Sequence, residues 1–286
     1  MPHIDKIVGA KNEDEKELAS AYLAGLFQNN REQQGIIEEI GEVEKTETDI
    51  KTIELVKKYI TEYMEKFNRK ILDLPLYKIH ILKEGSINKL SEGNSAGGIA
   101  LIKEGSIFVD KNDSDIQLAL VIFHEWFHLQ SFKTLRIKSI EEKPDIKGFR
   151  SGFAVYSQDT EIVYFYDINE AITSLAERAF YYNELSKNPL FEEKIKNGYE
   201  PEFSRDDEVI KLLKLIKELY KKNKDKGITY EKIVNLFIDA QINGRLLKIA
   251  RLIEDTYGKG SFRELAVNSG MMTSDIDNSI QPPPQK

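Results

Sequence analysis

The segment HEWFH, residues 124–128, holds two of the four histidines in this chain. On an α-helix, residues four apart stand one turn apart on one face, so His124 and His128 can aim both imidazoles at a single ion about 2 Å from each nitrogen. Glu125 lies about 100° further round the helix. It stands beside the ion without having to bind it, where it can take a proton from a water that the metal activates and later pass it to a leaving amine. Zn²⁺ brings the pKa of such a water towards 7, so the pattern points to metal-assisted hydrolysis. The flanking Val121, Ile122, Phe123, Trp126, Phe127 and Leu129 argue against an exposed polar stripe. Two buried imidazoles beside a buried carboxylate are costly without a partner, and a metal supplies one.

A catalytic zinc takes three protein ligands and keeps one position open. The chain has no cysteine, and His3 and His80 both precede the motif, which leaves carboxylates for the third ligand. The extended metzincin pattern needs Gly at 131 and His at 134; Ser131 and Thr134 stand there, which excludes that class. The downstream acids are Glu141, Glu142, Asp145, Asp159, Glu161, Asp167, Glu170 and Glu177. The first three belong to a polar, Pro-containing stretch and Asp159 to a turn-like QDT, both poor places to hold a ligand rigidly. Glu170 opens an apolar helical pattern.

The elements that must carry these residues read as follows. Residues 13–71 are rich in Glu, Lys, Leu and Ile, and 50–68 repeat apolar residues at steps of three and four, which predicts helices. Residues 29–50 are polar and read as a loop or a solvated helix. YKIHIL, GGIALI and SIFVD predict a small sheet, with His80 as a strand residue without a catalytic role. GGIAL reads as a turn or as an edge strand able to pair with an extended substrate. Asp113 or Ser114 can cap the motif helix, which contains neither Gly nor Pro. After a polar connection through Pro144, GFAVYS and EIVYFYD predict a hairpin, and NEAITSLAERAFYYNEL a further helix. Helical patterns over 205–222 and 229–255 follow, then a Gly-punctuated YGKGSFREL. The stretch 273–286, ending in a proline run, is expected to be a disordered tail.

The composition narrows the classes. At 286 residues and 41% hydrophobic content the chain can bury a sizeable core. A net charge of -7 with dispersed Lys and Arg gives no basic face, so nucleic acid is not an expected partner. No run approaches the 18 or more apolar residues of a membrane span, and the start lacks the layout of a signal peptide, so a cytoplasmic address without membrane attachment is expected.

HEWFH followed by DINEAIT resembles the gluzincin metallopeptidases, the thermolysin-like clan, most closely their minimal catalytic domains. The resemblance is specific over about 100–180 and extends in element order over about 76–270. It implies an α+β, zincin-like fold: a small mixed sheet, the motif helix, a glutamate helix and a helical C-terminal lobe. It implies His124, His128 and Glu170 as zinc ligands and Glu125 as general base. Four residues past the ligand Glu, thermolysin-like enzymes carry an Asp that orients the first His; Ser174 stands there, with Asn169 or Thr173 as substitutes. The aminopeptidase G-x-M-E-N segment is absent, so exopeptidase activity is not implied.

The expected organisation is an acidic helical extension over 1–50, a catalytic domain over 51–272 (76–135 sheet and motif helix, 136–272 glutamate helix and helical lobe), and the tail. A further reading has about residues 1–45 of it covering the cleft as a prosegment. For the oxyanion of the tetrahedral intermediate the expected donor is Tyr164, placed with Tyr166 on one face of the strand leading to Glu170; Tyr156 and Arg150 are further choices. The expected function is a zinc-dependent endopeptidase acting on a peptide or protein substrate. Two other readings are a regulatory protease that clips one partner, and a non-catalytic binding protein whose zinc is structural and closed by a fourth protein ligand.

Overall fold

The computed structural model describes residues 4–28, 41–87, 97–112, 114–140, 144–158, 160 and 162–272. The chain is mixed α+β and divides into two compact units. One comprises Met1–Gln130, Arg136–Ile146 and Ala176–Phe203, the other Ser131–Leu135, Lys147–Leu175 and Ser204–Lys286. Among the described residues no helix is long and apolar enough to cross a membrane. The expected tail, the Asp113 cap, His3, and the acids Glu141, Glu142, Asp159 and Glu161 lie outside the described residues.

The first unit carries β1 (Lys6–Val8), α1 (Glu13–Gln28), α2 (Glu47–Glu65), β2 (Ile79–Leu82), β3 (Gly98–Leu101), β4 (Ser106–Asp110) and α3 (Asp115–Gln130). The sheet order is β2-β4-β3, with β2 parallel and β3 antiparallel to β4, so among the described residues β3 is an edge, as one reading of GGIAL has it. His80 lies in β2, stacked on Phe108 at 4.5 Å, with Nδ1 3.2 Å from Glu42 Oε1. Burial lowers its pKa although Glu42 opposes the shift, which fits a neutral strand residue.

Helix α3 starts where Ser114 Oγ accepts from the Gln117 amide at 3.4 Å. Its apolar face is fixed by rings: Phe123 and Phe127 meet Tyr59 and Tyr63 of α2 at 5.9 and 5.8 Å, and Phe180 stacks on Phe123 at 4.9 Å. Burying each such ring contributes about 2–3 kcal/mol. At the far end, Gln130 clamps Leu72 by accepting from its amide at 2.8 Å and donating to its carbonyl at 2.9 Å.

The described N-terminal residues pack within this unit. Strand β1 lies beside β5 (Lys133–Ile140), both carboxylate oxygens of Asp5 accept from Arg69, and Ala19 and Leu23 of α1 are buried.

The second unit holds β7 (Ala154–Tyr156) and β8 (Ile162–Tyr164), the expected hairpin, together with β9 (Met271–Met272) against β8. Its core joins Phe153, Ile168 and Ile172 to Leu212, Phe237 and Ile249. These come partly from the helical lobe: α6 (Asp206–Asn223), α7 (Tyr230–Asn243), α8 (Leu246–Tyr257) and α9 (Ser261–Asn268), named after α4 (Tyr166–Asn183) and the short α5 (Glu192–Lys196). The helix expected over 229–255 breaks at Gly244, whose φ of 73° ends α7 in the left-handed conformation, and a Cβ there would meet the Phe132 ring at 2.6 Å. Within the Gly-punctuated stretch, Gly258–Gly260 separate α8 from α9, which starts at Ser261.

The polar connection expected through Pro144, before Gly152, instead holds strands β5 and β6 (Pro144–Ser151). In β5, Leu135 and Ile137 are buried while Arg136 and Lys138 are exposed, an alternation concealed by its charged half. Pro144 opens β6, a place where its missing N–H costs little.

Candidate metal centre

On α3 the residues around the motif separate by face. Ile122, Phe123, Trp126 and Phe127 are fully buried, whereas His124, Glu125 and His128 retain partial exposure. The two imidazoles stand with centroids 4.9 Å apart and planes 70° apart, the one-turn placement expected of residues i and i+4. Glu170 arrives on α4. The left-handed φ of 58° at Phe165 ends β8 and starts that helix.

Among the described residues, His124, His128 and Glu170 form one group whose ligand atoms all lie within 4.8 Å of one another. Donor atoms about 2 Å from one ion are themselves separated by about 3–4 Å, so the group fits a metal with slight contraction. The donor set is chemically apt: two imidazoles and one carboxylate, with thiolates absent from the sequence.

The first histidine has a partner behind it. His124 Nδ1 lies 3.0 Å from Glu177 Oε2, and the Glu177 side chain is only 3% exposed. A hydrogen on Nδ1 donated to this carboxylate puts the lone pair on Nε2, the tautomer a metal ligand needs. Glu177 stands two turns beyond Glu170 on the same face of one continuous helix. Glu177 is thus a partner of His124, at a position other than the Ser174, Asn169 or Thr173 expected to orient it. Ser174 Oγ donates to the Ser204 carbonyl at 2.8 Å, Thr173 Oγ1 to the Asn169 carbonyl at 3.0 Å, and the Asn169 amide to Glu170 Oε1 at 3.2 Å. Replacing Glu177 by Gln is expected to weaken zinc binding about 10–100-fold while leaving the fold intact. A chelator-competition titration giving wild-type affinity would remove Glu177 from this role.

No protein-family model, curated protein or solved structure matches this chain. The residues of the centre therefore carry the functional argument by their own geometry.

Arg205, which sequence reasoning passed over, stands beside the carboxylate ligand. Its Nε lies 4.0 Å from Glu170 Oε2, its Nη2 donates to Tyr166 Oη at 3.1 Å, and its Nη1 lies 3.6 Å from Glu208. Its φ is 65°, a left-handed conformation uncommon outside glycine. Burial opposes its charge, but Tyr166, Glu170, Glu208 and Asp167 outweigh that and raise its pKa. Asp167 is pushed up, chiefly by burial, and is not one of the three clustered ligands.

The expected oxyanion donors are distributed differently. Tyr164 packs against the apolar core of the second unit. Tyr166 does not share its strand face, because the strand stops at Tyr164 and Tyr166 already belongs to α4. Arg150 bridges the carbonyls of Gly152, Ala240 and Gly244 at 2.7–3.1 Å and tops the C-terminal end of α7, a structural post. Burial, with Glu170 adding to it, pushes the Tyr156 hydroxyl up to about 12.

Glu125 has its own structural condition. A Cβ on Gly98 would come within 2.8 Å of Glu125 Cγ and of Val121 Cγ1. The glycine lets edge strand β3 press onto α3 beside the general-base candidate, a close approach rather than a turn.

Proposed function

We propose that this protein is a zinc-dependent endopeptidase with a zincin-like fold of the gluzincin kind. The observation that carries the reading is the convergence of His124, His128 and Glu170, with Glu177 behind His124 and Glu125 on the same helix as both histidines. Three protein ligands among the described residues is the number a catalytic zinc keeps, whereas a closed structural site takes four. Zn²⁺, when held by the two imidazoles and the carboxylate, supplies Lewis acidity to water and to a carbonyl.

The chain's own residues do the rest. Glu125 accepts a proton at its carboxylate and returns it to the amine that leaves. Glu177 holds the His124 ring in one tautomer. Edge strand β3, pressed against Glu125 by Gly98, supports an antiparallel placement of an extended peptide along the sheet. Arg205 balances the carboxylates Glu170 and Glu208, limiting their mutual repulsion near the metal.

Hydrolysis of casein is the direct test. The account expects cleavage that stops on treatment with a zinc chelator and returns when zinc is added back. Absence of cleavage with the site fully loaded would leave the one-partner protease, assayed on candidate regulators, as the surviving catalytic reading.

A further inference from the structure

Around Glu170 lies a buried polar assembly that neither the motif nor the helix periodicity announces. Asn169 is 4% exposed. Its Oδ1 accepts from the backbone amides of Phe153 at 3.0 Å, in the tight connection between β6 and β7, and of Ala154 at 3.4 Å, the first residue of β7. A backbone N–H can only donate, so these two contacts fix which end of the side-chain amide is oxygen. The NH₂ end is then turned to Glu170 Oε1, 3.2 Å away.

The connection itself is held rigidly. Gly152 takes φ of 58°, its amide donates to the Phe132 carbonyl at 2.7 Å, and its carbonyl accepts from Arg150 at 2.7 Å. Gln241 is fully buried, accepts from the same Phe153 amide at 3.0 Å and donates to Ser131 Oγ at 3.3 Å. A Cβ on Gly152 would sit 2.5 Å from Asn169 Oδ1 and 2.5 Å from the Gln241 amide group. Both amides occupy space that only glycine leaves open.

We propose that Asn169 is a positioning residue for the metal ligand Glu170, and that the Gly152 turn with Gln241 sets the angle at which that carboxylate is presented. The inference rests on the metal-centre reading above. A neutral amide steers the carboxylate without neutralising it, which preserves its charge for the ion. The amide holds Oε1, and with it the plane of the carboxylate, in one orientation. The geometry of the centre is thereby tied to a hairpin turn outside the motif.

The test compares wild type, Asn169→Asp and Gly152→Ala in the full chain. Aspartate has nearly the shape of asparagine and can still accept from Phe153 and Ala154, but it has no hydrogen to give Glu170. Gly152→Ala displaces Asn169 without adding charge. Zinc affinity is read by competition with a chromophoric chelator, the Co²⁺-loaded absorption spectrum reports ligand geometry, and melting of the metal-free protein reports the fold. Positioning predicts about 10–100-fold weaker zinc binding and an altered Co²⁺ spectrum in Asn169→Asp, with metal-free melting close to wild type. Gly152→Ala is expected to shift affinity in the same direction. Unchanged or tighter binding in Asn169→Asp would overturn the proposal, as would an affinity loss that merely follows a fall in metal-free melting. Wild type that binds no zinc would instead bring down the metal-centre reading itself, and is distinguishable because it fails before any variant is compared.

Discussion

Replacing Glu125 by Gln is expected to abolish peptide hydrolysis, by about 10²–10⁴-fold in turnover, while zinc binding stays at the wild-type level. Glutamine keeps the shape of the side chain that packs beside Gly98, so the helix and the edge strand have no reason to move. What it lacks is a carboxylate that can accept a proton from water and return it to the leaving amine. His124, His128 and Glu170 are untouched, so metal content and turnover should separate cleanly. Initial rates on casein alongside elemental analysis of the same samples check this. Turnover retained in the variant would sink the general-base role, and loss of zinc together with activity would show that Glu125 belongs to the ligand set.

Replacing Glu170 by Ala is expected to have the largest effect on the metal. A structural zinc site is worth roughly 10–16 kcal/mol, which by analogy shared among three ligands comes to roughly 3–5 kcal/mol each, or about 10²–10⁴-fold in affinity. The effect should not be repaired locally. Asn169 would lose the acceptor for its amide and Arg205 its nearest ligand carboxylate, leaving donors where the ligand stood. Chelator competition measures the loss directly. Affinity unchanged in this variant would transfer the third-ligand role to another acid, with Glu177 the first to examine because it already touches His124.

The parts of this centre that could be read from sequence are those governed by short-range periodicity. The HEWFH helix is one: two histidines four apart, a Ser114 cap and an uninterrupted apolar run define both the helix and its faces. The β7–β8 hairpin is another, because aromatic and β-branched residues flank a turn. Strands β5 and β6 escaped because Arg136, Lys138 and Lys147 give their exposed faces the look of a loop. The break at Gly244 carried a readable signal, an Asn-Gly pair where a helix terminates in the left-handed conformation.

The supporting shell was less legible for a different reason. Glu177 acts through a partner on another helix, His124, and nothing in the local pattern distinguishes it from any other helical acid. The signal that existed was its place two turns beyond Glu170 on one face. Tyr166 leaves the strand face that period-two alternation gives it, because at Phe165 a positive φ turns the chain from strand into helix. The Asn169 contact depends on amides donated by the Gly152 turn and on Gln241. Those residues are brought together only by the fold.

The measurement that tests the central claim most directly is the zinc content of the purified wild-type chain, taken by elemental mass spectrometry after equilibration with zinc and removal of the excess. The account predicts about one zinc per chain, held by His124, His128 and Glu170. A chain that retains no metal under these conditions would contradict it, and the clustered imidazoles and carboxylate would then be a buried polar contact rather than a catalytic centre.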